Sequence, residues 1–285
     1  MVFFLVRVVP GNPAAMMLGP DATQEMIDTV TRNLGLDKPI LTQYFTFIRD
    51  IFKGDMGNSL YLNRSSVDLV IERIPKTAAL AFYSIIISTL IAVPLGMVAA
   101  IKPNSTFDRI VSLLTLFAQS LPDFWVGFML ILIFSRNLRL LPTSGTGTWK
   151  HLVMPLITLS FPLTTFMTRL IRAGMLDIMS RDYIRTARAK GVYERLVISR
   201  HVLKNMLIPV VTLVGLQLGV LLGGVVITEV VFAWPGVGRL LVDSILRKDF
   251  PVVQAAVLFI ALSYVLVNLS VDIAYAYIDP RIRYS

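Results

Sequence analysis

Long apolar runs separated by shorter polar stretches dominate the pattern of this chain. Five runs, at 77–101, 110–134, 152–170, 207–232 and 252–277, are almost free of charge in their interiors. Each is long enough to cross a bilayer, because a helix of about 20 apolar residues spans the ~30 Å hydrocarbon core. Several runs contain prolines, but neighbouring helices satisfy the carbonyls that a proline frees. The pattern predicts an all-α, polytopic membrane protein with five full transmembrane helices.

The first ten residues are apolar but too short to span a bilayer. Residues 1–6 are hydrophobic, Arg7 interrupts them and Pro10 ends the run. A helix of this size covers about 14 Å, and its flanks do not fit a signal peptide. We predict that residues 1–10 are the remnant of a truncated first transmembrane helix, with Met1 an internal methionine or a misassigned start. A short re-entrant or interfacial segment is the alternative.

Residues 11–76 form the one long polar stretch of the sequence. Acidic and basic residues nearly balance within it. The segments 21–34 and 40–52 have the pattern of short amphipathic helices, with Gly35 and Pro39 between them as helix breakers. We predict an extracytoplasmic insert over 11–76 and a transmembrane domain over 77–285.

The distribution of basic residues predicts the orientation of the helices. The formal net charge is +9, and residues 169–204 carry nine Lys and Arg against three Asp and Glu. Because short loops rich in Lys and Arg stay in the cytoplasm, this segment, the 102–109 turn and the C-terminus are predicted inside the cell. The segments 11–76, 136–150 and 233–251 are then outside. The basic residues are not interleaved with stacking aromatics, so the charge indicates a membrane protein's cytoplasmic face rather than a nucleic-acid site.

Composition and motifs exclude most catalytic chemistries. The chain has no cysteine, and His151 and His201 lack the spacing of metal ligands. It has no G-x-x-x-x-G-K-[ST] phosphate loop, so any ATP-derived energy must come from another polypeptide. Serines in the apolar runs have no obvious partner base for an intramembrane enzyme. We predict a non-enzymatic subunit with no cofactor, metal site or catalytic residue.

Residues 174–205, which we name the basic loop, are the most informative segment. Ala187 and Ala189 among Arg and Lys favour a helix before Gly191. Gly191 suits a sharp turn because glycine tolerates a positive φ, and a second helical run follows it. Two short basic helices of this kind are predicted to project into the cytoplasm and dock in a groove on a partner. A loop that merely sets topology is the alternative.

The run Thr186-Ala-Arg-Ala-Lys-Gly191 resembles the "EAA" loop of bacterial ABC importer permeases in its peptide-permease form. Arg185, Thr186 and Ala187 occupy the Glu-Ala-Ala positions, and Gly191 is the motif glycine. Arg185 and Thr186 depart from the general motif, as the peptide branch typically does. The stretches 8–14, 34–39, 54–59, 120–125, 229–240 and 279–284 also resemble this family, most closely the B-type subunits of dipeptide, oligopeptide, glutathione and nickel importers.

The resemblance implies a MetI-like helix bundle acting as the permease subunit of an ATP-driven importer in the bacterial inner membrane. The implied cargo is a di- or oligopeptide or a related small solute such as glutathione or nickel. The implied partners are a second homologous permease subunit, two cytoplasmic ABC ATPases and an extracytoplasmic solute-binding protein. The basic loop would contact an ATPase through Tyr183, Arg185, Thr186, Ala187, Gly191 and Tyr193. An ATPase-independent channel or secondary transporter is the alternative.

Polar residues inside the apolar runs are the candidates for the translocation path, because such groups usually face a cavity or another helix. They are Gln119, Ser120, Asp123, Gln217, Glu229, Asn268 and Asp272. By position, Gln119, Asp123 and Gln217 are predicted to line the path, with an interhelical hydrogen bond or an end-of-helix position near water as the alternative for each. Trp234, Pro235 and Gly236 form either an outer gate loop, as the resemblance implies, or a lipid-interface anchor.

Overall fold

The computed structural model describes residues 3–4, 13–19, 21–33, 35–59 and 61–278. Within these ranges the chain is mostly helical and has no β-strand, with one isolated bridge between Asn58 and Ser65. The predicted all-α class is confirmed. In chain order the α-helices are α1 (Pro13–Leu18), α2 (Gln24–Asn33), α3 (Ile40–Phe52), α4 (Ser66–Ile71), α5 (Ile74–Ile101), α6 (Thr106–Gln119), α7 (Asp123–Leu130), α8 (Lys150–Ser180), α9 (Asp182–Ala189), α10 (Glu194–Leu196), α11 (Leu203–Gly224), α12 (Val226–Val231), α13 (Val237–Leu246) and α14 (Phe250–Ile278).

Four stretches of the described chain are long and apolar enough to cross a membrane as single helices. They are Ser66–Ile101, Lys150–Ser180, Glu194–Leu222 and Phe250–Val271. The consecutive helices α6 and α7 make a fifth span when they are counted as one bent pair. These five spans correspond to the five apolar runs of the sequence.

The run predicted at 110–134 is divided by a sharp bend. α6 ends at Gln119 and α7 begins at Asp123, and the pair is bent by 97°. Pro122 explains the break, because it lacks an N–H and its ring disfavours helical geometry in the residue before it. Four other prolines lie inside continuous helices, as expected for a membrane bundle: Pro94, Pro155, Pro162 and Pro209.

Two membrane helices extend into the basic loop. The run predicted at 152–170 belongs to α8, which continues to Ser180. Most of the run predicted at 207–232 belongs to a stretch that begins at Glu194, passes through the π-helical segment Val197–Val202 and ends at Gly224, and the end of the run forms the separate helix α12. The second short helix expected after Gly191 is therefore the start of a membrane span. Burial explains both extensions, since Met175 and Val197 are fully buried in one core cluster.

That core cluster joins α5, α8, α9 and α11. Its fully buried members include Ala92 of α5, Ile171 of α8 and Ile184 of α9. α14 packs against α11 at unusually short range. A Cβ added at Gly215 would lie 2.4 Å from Cγ2 of Val271, so only glycine permits this approach.

The loops gather at two ends of the bundle. At one end, which we name the insert end, the Ser59 hydroxyl donates to Asp249 at 2.5 Å and Trp234 Nε1 donates to the Lys76 carbonyl at 3.1 Å. These contacts join the 11–76 insert to the 233–251 segment. At the other end, the basic end, Arg172 pairs with Asp108 of the 102–109 turn. The Gly145 N–H donates to the Phe232 carbonyl at 3.1 Å, which brings the 136–150 loop to the insert end as well. The side of the membrane that each end faces stays a prediction.

The insert contains the two amphipathic helices that were predicted for it, α2 and α3. Of the first ten residues, only Phe3 and Phe4 are described. Phe3 is buried, and its ring centroid lies 5.2 Å from that of Tyr44 in α3. The rest of the predicted helix remnant lies outside the described residues.

Candidate functional site

The basic loop turns sharply at Gly191. α8 ends at Ser180, Arg181 adopts an extended conformation, and α9 follows at once. Gly191 has φ +77° and its N–H donates to the Arg188 carbonyl at 3.0 Å. A Cβ added there would meet no atom within 4 Å, so the requirement for glycine comes from the backbone dihedral alone. The predicted glycine turn is present.

The loop is anchored to the bundle by its apolar residues. Ile184 of α9 and Val197 of the π-helical segment are both 0% exposed in the core cluster. Val192, beside the glycine, packs against the same cluster. α9 is thus packed against the ends of α8 and α11.

An ion pair closes the turn across Gly191. The Arg188 guanidinium donates to both carboxylate oxygens of Glu194, at 3.0 and 2.6 Å. This hydrogen bonding to Glu194 raises the pKa of the Arg188 guanidinium above its ordinary value. The pair is half-exposed, so it is worth less than 1 kcal/mol or so and serves mainly to fix the geometry.

The six predicted docking residues do not all face outward. Arg185, Thr186, Gly191 and Tyr193 are exposed, and Tyr193 is the most exposed of the large apolar side chains nearby at 81%. Tyr183 is exposed on the same helix, and its hydroxyl accepts from Asn205 at 3.3 Å. Ala187 is half-buried and packs against the core cluster. Ala187 therefore packs α9 against the bundle and is not on the outer surface of that helix.

A cavity of about 480 Å³ with mixed polar and apolar walls lies between α6 and α8, and we name it the Gln119 cavity. Gln119 lines it, and its side-chain oxygen accepts a hydrogen bond from the Arg169 guanidinium. Sequence reasoning placed Arg169 and Arg172 among the basic residues of a loop, whereas both project from the membrane helix α8. The cavity is thus an opening between two candidate membrane spans that is lined partly by polar and charged side chains.

Buried Asp108 forms an ion pair with Arg172, a partly exposed residue that lines this cavity, and the sequence analysis missed this pair. Asp108 accepts from Arg172 at 2.5 and 2.7 Å, and its side chain is 3% exposed. Asp108 also accepts from the Asn104 N–H at 2.8 Å, while its own N–H donates to the Ser105 hydroxyl. The Ser105-x-x-Asp108 spacing of a helix N-terminus is the signal that could have pointed to it.

The three predicted path residues are not brought together. Only Gln119 lines the cavity between α6 and α8. Asp123 is exposed at the first residue of α7, beyond the bend, and Gln217 is half-buried in α11. The side chain of Asp272 lies outside the described residues.

Glu229 organises the loop at the insert end. Its carboxylate, 0% exposed, accepts from the Thr77 hydroxyl at 2.6 Å and from the Arg239 N–H at 2.9 Å. Thr77 in turn accepts from the Val237 N–H at 2.9 Å. These residues with Trp234 and Gly236 are named the Glu229 cluster. For Glu229 the structure favours the alternative of an interhelical hydrogen bond.

Trp234 is turned into the bundle. It is 6% exposed and packs with Leu80, Leu159 and Val225. The interpretation of Trp234 as a lipid-interface anchor is therefore wrong, because an anchor would present its ring to the headgroups. Gly236 lies directly against the carboxylate, since a Cβ added there would be 1.9 Å from Glu229 Oε1. The 233–236 segment folds back into the bundle as a packed loop.

Known proteins resemble this chain along nearly its whole length. The family described as "Binding-protein-dependent transport system inner membrane component" matches residues 92–284, and the corresponding N-terminal family of transport system membrane components matches residues 1–81. The glutathione transport system permease protein GsiC of Escherichia coli (strain K12) is 42% identical over 284 residues, which cover 100% of this chain and 93% of that protein. GsiC of Salmonella choleraesuis (strain SC-B67) is 43% identical with the same coverage.

Solved structures resemble the helix bundle. An inward-facing conformation of the MetNI methionine ABC transporter matches with a TM-score of 0.63 and 17% identity, covering 74% of this chain and 96% of that one. An amino acid ABC transporter matches with a TM-score of 0.57 and 15% identity, covering 75% and 94%. At these identities the likeness shows the fold, and it confirms the predicted MetI-like bundle. The chain belongs to the family of binding-protein-dependent transport system inner membrane components and is a permease subunit of an ABC importer.

Proposed function

We propose that this chain forms half of the translocation path for glutathione or a short peptide, paired with a second homologous permease subunit. Two cytoplasmic ATPases would supply the energy and an extracytoplasmic binding protein would deliver the solute. The support for the solute is the identity of 42% along the whole chain to permeases named for glutathione transport. The chain itself would catalyse nothing.

The proposed division of the chain follows the two ends of the bundle. Residues 1–10 would be part of a first membrane helix, 11–76 an extracytoplasmic insert, and 77–285 the membrane domain. The basic loop at 174–205 would face the cytoplasm, together with the C-terminus. The 233–236 segment with Trp234, Pro235 and Gly236 would shape the outer gate, and Gln119, Asp123 and Gln217 would contact the path at different depths.

The coupling role of the basic loop rests on one observation: the loop has an exposed outer surface, its tip, and fully buried residues that pack against the membrane helices, its base. Arg185, Thr186 and Tyr193 are free to contact a partner, whereas Ile184 and Val197 are locked into the core shared by α5, α8 and α11. A push on the tip would therefore move the membrane helices as a rigid body. A loop that served only as a topology signal would not need a buried base.

The test of this coupling compares Gly191→Asp with Gly191→Asn. Both side chains are similar in size and tolerate a positive φ better than most residues, so the difference between them is the added negative charge on a basic docking surface. We expect Gly191→Asp to lower uptake and solute-stimulated ATP hydrolysis at least fivefold, with normal membrane insertion. Gly191→Asn should keep most of both activities. Normal uptake in Gly191→Asp would contradict the docking role.

Orientation is testable because the chain has no cysteine. Single substitutions Ala189→Cys in the basic loop and Ser144→Cys in the opposite loop place one exposed thiol at each end. A membrane-impermeant thiol reagent added to intact spheroplasts should label Ser144→Cys but not Ala189→Cys. The reverse result would overturn the proposed topology and, with it, the coupling role.

The importer and channel interpretations differ in their partners and cargo. An affinity-tagged chain should co-purify with ATPase subunits and a second permease, and a Gly191→Asp change should weaken that association. Deletion of the gene, followed by uptake assays with glutathione, dipeptides and Ni²⁺, would identify the solute. Uptake that continues without the ATPases would favour a channel.

A further inference from the structure

The two arginines that α8 directs toward the Gln119 cavity are in different electrostatic states. Arg172 is neutralised by the buried Asp108, through two hydrogen bonds at 2.5 and 2.7 Å. Arg169, one turn away, has no carboxylate within ion-pair distance among the described residues. Its guanidinium donates instead to the neutral side-chain oxygen of Gln119 across the cavity. The cavity therefore carries one uncompensated positive charge.

Arg169 is exposed on the wall of this cavity, near the basic end of a candidate membrane span, and charged groups in such spans usually pair or serve a function. A guanidinium has five N–H donors and binds carboxylates through two parallel hydrogen bonds. Gln119 engages the guanidinium without neutralising it, so its amide holds the side chain in place across the cavity. An incoming carboxylate would gain both charge and hydrogen bonds relative to the amide.

The size and walls of the cavity suit a short peptide. Its volume of about 480 Å³ falls within the range of small-molecule sites. Phe166 and Leu170 supply apolar surface on the α8 side, and Thr115 lies opposite on α6. A solute with one carboxylate and a small, mixed polar and apolar body matches these walls.

We propose that the Gln119 cavity is a solute subsite in which Arg169 binds a carboxylate of the transported peptide. This inference rests on the proposed function, since it names the group by which the solute is held in the path. The single cation, placed opposite a neutral amide, gives an attraction strong enough to select anionic groups and weak enough to release them. Peptides and glutathione carry the carboxylate, whereas Ni²⁺ would be repelled.

The test uses a thiol as a local reporter of charge. Ala173 lines the cavity one turn from Arg169 and is exposed, and the chain has no other thiol. In the complete transporter, assembled in membranes, an Ala173→Cys variant should react faster with a sulfonate-bearing methanethiosulfonate than with a trimethylammonium-bearing one. Adding Arg169→Gln should lower this ratio about five- to tenfold, because the local attraction of unlike charges is lost. Arg169→Lys should preserve most of the ratio.

A matched reporter far from the cavity controls for general effects. The ratio for Ser144→Cys, in the loop at the insert end, should not change when Arg169→Gln is added. If the Ala173→Cys ratio is also unchanged, or if that thiol reacts with neither reagent, the cavity does not present its charge to solutes and the inference is overturned.

Two further arms distinguish a solute carboxylate from a lipid phosphate. Millimolar alanyl-alanine or S-methylglutathione, which has no free thiol to consume the reagent, should slow the labelling of Ala173→Cys, alanyl-alaninamide should not, and Arg169→Gln should abolish the protection. If labelling instead differs between phosphatidylcholine and phosphatidylglycerol vesicles and ignores the peptides, the ligand is a lipid headgroup and the proposal fails.

Uptake by the parent chain separates this inference from the proposed function. Suppose that the parent transporter takes up glutathione or dipeptides normally but Arg169→Gln leaves the labelling ratio of Ala173→Cys unchanged. The subsite would then be refuted, and the proposed importer function would stand. Absence of uptake of any peptide by the parent transporter would refute the proposed function itself.

Discussion

The loops at the two ends of the bundle each contain a glycine that the local structure favours, but for opposite reasons. At the basic end, Gly191 has a positive φ and open space where a side chain would stand. At the insert end, Gly236 has φ −98°, which any residue adopts, but its missing Cβ makes room for the Glu229 carboxylate. The basic loop turns through a backbone conformation that favours glycine and exposes the residues around the turn. The loop at the insert end is held by buried hydrogen bonds and presents almost no surface.

This difference suits the two roles proposed for the loops. An exposed tip that contacts a partner needs a fixed shape and a free surface. A gate that opens and closes against other helices needs a packed state that changes as a unit, because packed interfaces are bistable rather than continuously deformable. Substitutions should therefore affect stability mainly at the insert end and partner contact mainly at the basic end.

The largest effect is expected at Glu229. Glu229→Ala removes the acceptor of the Thr77 hydroxyl and the Arg239 N–H, leaving two buried donors unsatisfied at about 1–3 kcal/mol each. We expect a loss of about 3 kcal/mol in the free energy of unfolding, measured as a lower melting temperature of the purified transporter. Asp243→Ala is the control, because Asp243 is 51% exposed and lies 3.6 Å from Arg239. Equal effects of the two variants would contradict the importance of the Glu229 cluster.

A smaller but still large effect is expected for Gly236→Ala. The added methyl would lie 1.9 Å from Glu229 Oε1, and relieving that overlap should destabilise the protein by about 2 kcal/mol. Because the overlap is with Glu229 itself, combining Gly236→Ala with Glu229→Ala should cost less than the sum of the two. A double-mutant cycle on melting temperature checks this, and strict additivity would exclude the contact as the cause.

At the basic end, Gly191→Ala tests the backbone alone. No atom lies within 4 Å of the added methyl, so the cost is that of a left-handed conformation in an alanine, about 1 kcal/mol. Asparagine tolerates this conformation better than alanine, so Gly191→Asn should lose less than half as much free energy of unfolding. Melting temperatures of the two variants provide the measurement. A loss in Gly191→Ala as large as that in Gly236→Ala would mean that hidden contacts restrict the turn.

The smallest effect is expected for the ion pair that closes the turn. Arg188 and Glu194 are 41% and 53% exposed, so solvent screens most of their attraction. A double-mutant cycle with Arg188→Gln and Glu194→Gln should give a coupling of about 0.5 kcal/mol in the free energy of unfolding. The coupling should shrink in 0.5 M salt, and a coupling that is insensitive to salt would indicate a hydrogen-bonding role instead.

Local pattern was enough to predict the helical class, the five apolar runs and the turn at Gly191. Run length, loop charge and glycine conformation depend on neighbouring residues in the sequence. The bilayer sets the run length and the loop charge in the same way for every membrane protein, and a positive φ favours glycine in any fold. The TARAKG motif of the basic loop indicated the permease family for the same reason, since it lies within six consecutive residues.

The tertiary structure alone decided which polar residues meet. Thr77 and Glu229 are 152 residues apart in sequence, and Asp108 and Arg172 are 64 apart, so no local pattern links either pair. It also decided which proline breaks a helix, because Pro122 stands at a 97° bend while Pro94 and Pro209 lie inside continuous helices. A proline removes the same hydrogen bond everywhere, but packing against neighbouring helices determines whether the chain continues straight or turns.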